Sequence, residues 1–156
     1  MNTIVKLFCF VASIFFLIDQ TNAQRVANAS FQAGEIVIDG KLNEMEWAEA
    51  EVISGLTQYS PNPGYKSSQK TELRILYDDE AIYLGARMFD TAPDSILMQY
   101  SPRDEIKNSD EFGIQLSPYN DGINGVAFST TPAGILVDVN ISPTGKDFNW
   151  DAVWDV

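Results

Sequence analysis

The chain has 156 residues, 22 acidic against 10 basic, one cysteine and no histidine, for a formal charge of −12. Nucleic acid is excluded as a partner, because neutralising phosphates requires a basic face. The single Cys9 lies in an N-terminal apolar run, so the rest of the chain is without disulfides, thiol nucleophiles, His-containing triads and His- or Cys-ligated zinc.

Lys6 precedes the apolar stretch 7–18 (LFCFVASIFFLI), and Thr21, Asn22 and Ala23 follow with a small residue where a signal peptidase cuts. The stretch is shorter than the roughly 20 residues a membrane span needs. Residues 1–23 are therefore predicted to be a signal peptide. Export to the periplasm, outer membrane or cell surface follows, with residues 24–156 forming one domain.

Asn43 is placed to cap a short helix over 44–50, with Glu46 in capping-box position and Trp47 facing inward. In 71–77 (TELRILY), Thr71, Leu73, Ile75 and Tyr77 share one face, opposite Glu72 and Arg74. In 81–89, Ile82, Leu84, Ala86 and Met88 alternate likewise, and Asp78, Asp79 and Glu80 close the two runs into a hairpin. A further helical turn is predicted to start at Pro93, with Ile96 packing down. Later strands are read from three sets: Phe112, Ile114 and Leu116; Val126, Phe128 and Thr130; Ile135, Val137, Val139 and Ile141. In the last, Asp138 and Asn140 lie on the opposite face. A final strand is expected over 150–156 (WDAVWDV). Its open edge predicts more of the fold beyond Val156. Short strands with Gly, Pro or Asn between them predict an all-β, antiparallel β-sandwich, jelly-roll-like, with one short helix and an incomplete C-terminus.

Ile38, Asp39, Gly40, Leu42, Glu44 and Trp47 spell I-D-G-x-L-x-E-x-x-W, and a strand follows with Leu73, Arg74, Ile75, Leu76, Tyr77, Asp78 and Asp79. With Ile82 to Ala86, Phe89 and Asp90, and Asp110 to Leu116, these segments resemble the family 9 carbohydrate-binding modules. Ser60 to Gly64, Pro118 to Gly122 and Trp150 to Trp154 resemble the amino-terminal module of large bacterial exported proteins that continue into an outer-membrane β-barrel. The resemblance covers the chain from about Ile36 onward. It implies a β-sandwich that binds a polysaccharide or oligosaccharide in carbohydrate catabolism, joined to a glycoside hydrolase or to its own C-terminal barrel. Aromatic residues would clamp a sugar ring while charged side chains hold its hydroxyls. Where the family carries a glutamate three residues after the aspartate matched by Asp110, this chain has Gly113. The tryptophan that precedes that aspartate in the family is also unmatched.

Trp47 reads as a core anchor. Trp150 and Trp154, four residues apart, project from one face and serve either as a stacking platform for sugar rings or as packing under further strands. Tyr59 and Tyr65 flank the loop around Pro61 and Pro63, where aromatics suit a ligand or simple loop packing. Tyr100, Arg103 and Asp104 lie in an irregular polar stretch near where ligands of the family bind, and a surface ion pair is the competing role for Arg103. Asp90 and Asp110 end and open strands, as Ca²⁺ ligands commonly do, and the resemblance implies calcium. Asn120, Asp121 and Gly122 read as an Asx turn. Asp110 and Glu111 are adjacent in a strand and face opposite sides, so they do not form a glycosidase pair. The segment is expected to be non-catalytic, and any hydrolase activity to lie in the parent protein.

Overall fold

Alternating β-branched and aromatic residues form two sheets, and together these make an all-β, sandwich-like fold. The computed structural model describes residues 26–156. The expected signal peptide lies outside the described residues.

The first sheet has the order β1 (Ser30–Phe31), β2 (Thr71–Tyr77), β3 (Ile82–Met88). The β2–β3 hairpin is the predicted one, and its register sets Leu73 opposite Ala86, Ile75 opposite Leu84 and Tyr77 opposite Ile82. Its turn is organised by Asp78, whose carboxylate accepts the backbone N–H groups of Glu80 and Ala81, each at 2.8 Å. The same carboxylate accepts the Tyr83 hydroxyl at 2.9 Å and Gln32 Nε2 at 2.8 Å. These donors hold the Asp78 carboxyl below its ordinary value, the backbone N–H of Glu80 contributing most. β1 departs from the antiparallel expectation: it runs parallel to β2, with Ser30 opposite Leu76.

The core of this sheet is Trp47, Ala50 and Leu76, with Ile36, Leu42 and Tyr83 packed around them. It therefore lies on the Leu76 face, not the face of the regular apolar alternation. On that other face Ile82 is 60% exposed and Met88 56%. The reason is Trp47. Its helix α1 (Met45–Glu49) lies against the Leu76 side, and Gly85 removes the side chain that would hold the indole away.

α1 corrects the capping expectation. Glu44, not Asn43, is the N-cap residue, and no side chain caps the helix. Glu44 Oε1 instead accepts the Val37 backbone N–H at 3.2 Å. With Glu44 as the N-cap, Glu46 stands at the second helical position instead of the third, so the capping box does not form. A 3₁₀ turn (Pro93–Ser95) stands where Pro93 predicted one, but Ile96 is 40% exposed instead of packed down.

The second sheet runs β4 (Phe112–Leu116), β5 (Gly125–Thr130), β6 (Leu136–Ser142), β7 (Gly145–Asp147), all antiparallel. Phe128 pairs with Ile114 on one side and Asp138 on the other, so these three share a face. Val137 and Val139 are buried on the opposite face. The expected strand over 150–156 is not a ladder strand. Its residues alternate half-buried and exposed, but Ala152 donates its N–H to a side chain, Asp138 Oδ2, instead of to a neighbouring strand. A short β7 takes the place beside β6.

Candidate functional site

Asp138 is the centre of the site. An acid in the middle of β6 must point to one face of its sheet, and here it points to the Phe128 face with none of its side chain exposed. A buried carboxylate persists only where donors replace water. Arg103 supplies the first: its Nη2 donates to Asp138 Oδ1. Ala152 N–H donates to Oδ2, and the Trp154 indole N–H reaches Oδ1 at 3.5 Å. Three chain segments thus meet on one carboxylate.

The loop carrying Arg103 is shaped for this. Glu105 N–H returns to the Pro102 carbonyl at 3.2 Å, and the Ser101 hydroxyl donates to the Glu105 carbonyl. Asp104 adopts φ 64°, a left-handed conformation that Asp tolerates better than most residues. That turn lets Asp104 N–H donate to Leu136 O at 3.0 Å while its carboxylate accepts Asp138 N–H at 3.3 Å. The loop is stitched to the start of β6 by backbone and side chain together.

Trp150 and Trp154 lie against Phe128, with ring centroids 6.1 and 5.2 Å from it. Both indoles are half-buried. Asp151 Oδ1 lies 3.4 Å from Arg103 Nε, and Asp104 Oδ2 lies 3.7 Å from the same nitrogen. Arg103 therefore turns toward three carboxylates, with 38% of its side chain exposed. No family model, curated protein or solved structure matches the chain.

Of the residues expected from sequence, the structure brings together Arg103, Trp150 and Trp154. The hydrogen bonds and ring contacts that join them do not extend, among the described residues, to Tyr59, Tyr65 or Tyr100. Tyr59 and Tyr65 are 93% and 71% exposed on a loop closed by the Thr57–Lys66 bridge and by Gln58 N–H to Tyr65 O at 2.7 Å. Tyr100 is 74% exposed, on a segment held by Gln99 N–H to Ser109 Oγ at 2.7 Å.

Calcium finds a poor fit. Asp90 accepts Ala92 N–H at 2.6 Å, and Asp110 accepts Leu97 N–H at 3.1 Å. Asp90 closes a turn, Asp110 ties the start of its strand to Leu97, and neither belongs to an acidic group of three among the described residues. The acidic group that does form is Asp104, Asp138 and Asp151, with oxygens within 4.8 Å of one another. The Arg103 guanidinium already supplies positive charge to all three, so an ion would have to expel it. The residues present do not fit the metal.

Asp104 lies in the irregular polar stretch that the sequence places near the ligand, whereas Asp138 and Asp151 carry no such mark as site residues. A partial signal exists: an acid between Val137 and Val139, on the strand face shared with Phe128, needs a partner if that face is covered. Gly113 has its own explanation. It pairs with Ser129, and a Cβ there would lie 2.9 Å from Ser129 Cβ and 3.2 Å from the Phe128 carbonyl oxygen. The close strand approach leaves no room for the acid that the resemblance implies.

Proposed function

We propose that this domain is a non-catalytic carbohydrate-binding module of an exported protein, gripping a neutral polysaccharide on the face where Trp150, Trp154 and Arg103 meet. The observation that carries the reading is the convergence on Asp138: one buried carboxylate fixes the arginine loop and the tryptophan segment side by side. Aromatic faces stack on sugar C–H groups, and ordered polar neighbours orient the hydroxyls. Asp104, Asp138 and Asp151 outnumber the one guanidinium among them, which favours an uncharged glycan over a polyuronate. A hydrolytic pair would need two free carboxyls on either side of a scissile bond. Here Arg103 sits among the acids, so the domain serves as a targeting unit for an attached hydrolase or barrel.

Affinity electrophoresis of the protein against neutral polysaccharides, with and without calcium, tests this. Retardation is expected with at least one glycan, independent of calcium and lost in Trp154→Ala. Absence of retardation across the panel would reject the reading. A second reading, a docking domain for the protein's own outer-membrane barrel, is favoured by the open apolar face of the first sheet, where Ile82, Met88 and Phe31 are more than half exposed. Sugar-independent capture of the barrel, lost in Ile82→Lys, would select it.

A further inference from the structure

A groove of about 260 Å³ opens between α1 and the Leu76 face of the first sheet, lined by Leu42, Asn43, Glu44, Met45, Trp47, Ala48, Arg74 and Arg87. Three of these residues carry buried polar atoms without a hydrogen-bond partner: Glu44 Oε2, Trp47 Nε1 and Arg74 Nε. Buried polar groups are nearly always paired, so three orphans around one cavity call for an explanation. Trp47 is only 4% exposed, and its N–H has no alternative partner in water. The orphans comprise two donors and one acceptor.

We propose that this groove is a second saccharide site, separate from the Trp150–Trp154 face, that takes one uncharged sugar ring or a linear polyol. Hydroxyl groups match the orphan set because each both donates and accepts. One hydroxyl oxygen accepts from Trp47 Nε1–H or Arg74 Nε–H while its own proton goes to Glu44 Oε2. The orphan set selects against ions: an anion could not donate to Glu44 Oε2, and a cation could not accept from Trp47 Nε1–H or Arg74 Nε–H. Size selects against long chains. Pockets for drug-sized ligands run from about 300 to 1,000 Å³, so this smaller one suits a single ring. Leu42, Met45 and Ala48 supply the apolar wall for ring C–H groups. Entry requires only a small side-chain shift, since Met45 is 73% exposed at the margin.

The test follows the three indole N–H signals by ¹H–¹⁵N NMR, assigned with Trp150→Phe and Trp154→Phe, while glucose, galactose, xylose, glycerol or myo-inositol is added. A saturable shift of the Trp47 signal is expected with at least one probe, and it is expected to persist in Trp150→Phe and Trp154→Phe. Arg87→Gln, at the exposed rim, is expected to weaken it about tenfold through loss of a charged hydrogen bond. Ala48→Leu is expected to fill the groove and abolish the shift with the fold intact by circular dichroism. Trp154→Ala is expected to remove polysaccharide retardation and leave the Trp47 shift in place, so the two sites fail separately. A Trp47 signal that no probe moves, or one that moves equally in Ala48→Leu, would overturn the proposal and assign the groove to water.

Discussion

Gly85→Ala isolates the contact on which the first sheet's core depends. The new methyl carbon would lie 2.8 Å from Trp47 Cζ3, 3.0 Å from Trp47 Cε3 and 2.9 Å from Leu42 Cδ2. Comfortable carbon–carbon contact begins near 3.5 Å, so the indole must lift from the sheet by about half an ångström or more. Trp47 is wedged beside Ala50 and Leu76, and the strain spreads through that cluster. Overpacking of this kind costs about 1–3 kcal/mol, and the alanine returns about 0.5–1 kcal/mol of backbone entropy. The net expectation is a loss of about 1 kcal/mol, or roughly 4 °C in thermal midpoint for a domain of this size. Thermal and urea unfolding followed by far-ultraviolet circular dichroism read both quantities. The double variant with Trp47→Phe, whose smaller ring leaves space for the methyl, should show a favourable coupling of about 1 kcal/mol. A Gly85→Ala protein as stable as the wild type, or a cycle that is additive, would refute the packing account.

Asp138→Asn should free the segment around Ala152 and Trp154, because it removes the charge that Arg103 and the Ala152 N–H share. A loss of about 1–3 kcal/mol in urea unfolding and a more quenchable tryptophan emission are expected, and unchanged quenching would contradict the role given to Asp138. Gly113→Glu should destabilise by about 1–3 kcal/mol through contact with Ser129 and Phe128, with partial recovery when Ser129→Gly is added. Restored stability without that second change would refute the steric argument. Asp78 and Asp121 both have carboxyls held below the ordinary value of 3.8 by N–H donors, Glu80 first for Asp78 and Asn124 first for Asp121. Their contribution is complete above 3.8 and disappears as pH falls through the lower folded values. The thermal midpoint should drop on that acid limb, and less steeply in Asp78→Asn; an equal slope would argue against it.

The hairpins were legible because period-two alternation and turn residues are local signals. Leu73, Ile75 and Tyr77 do share a face with Leu84 and Ile82, as their spacing required. Which face would be covered was not legible, since it depends on Trp47 meeting Gly85 from 38 residues away. α1 was legible but its cap was not, because Glu44 is the N-cap with its carboxylate turned to the Val37 N–H, which leaves Glu46 out of capping-box register. The parallel strand Ser30–Phe31 is too short to carry any period. At the site, Trp150, Trp154 and Arg103 were readable as residue types suited to sugars. Their junction was not, because Asp138 and its partner Arg103 are 35 residues apart and only the folded sheet sets them together.

The parallel pairing of β1 has a consequence for the order of assembly. Ser30 aligns with Leu76, and Gln32 reaches the carboxylate of Asp78, a separation of 46 residues in both cases. Bringing these two stretches together closes a long loop, which costs entropy before any contact rewards it. The hairpin, once synthesised, closes within microseconds. The part of the sheet that comes first in the chain is thus the last to be incorporated, and its bare backbone waits for the Asp78 turn to recruit it.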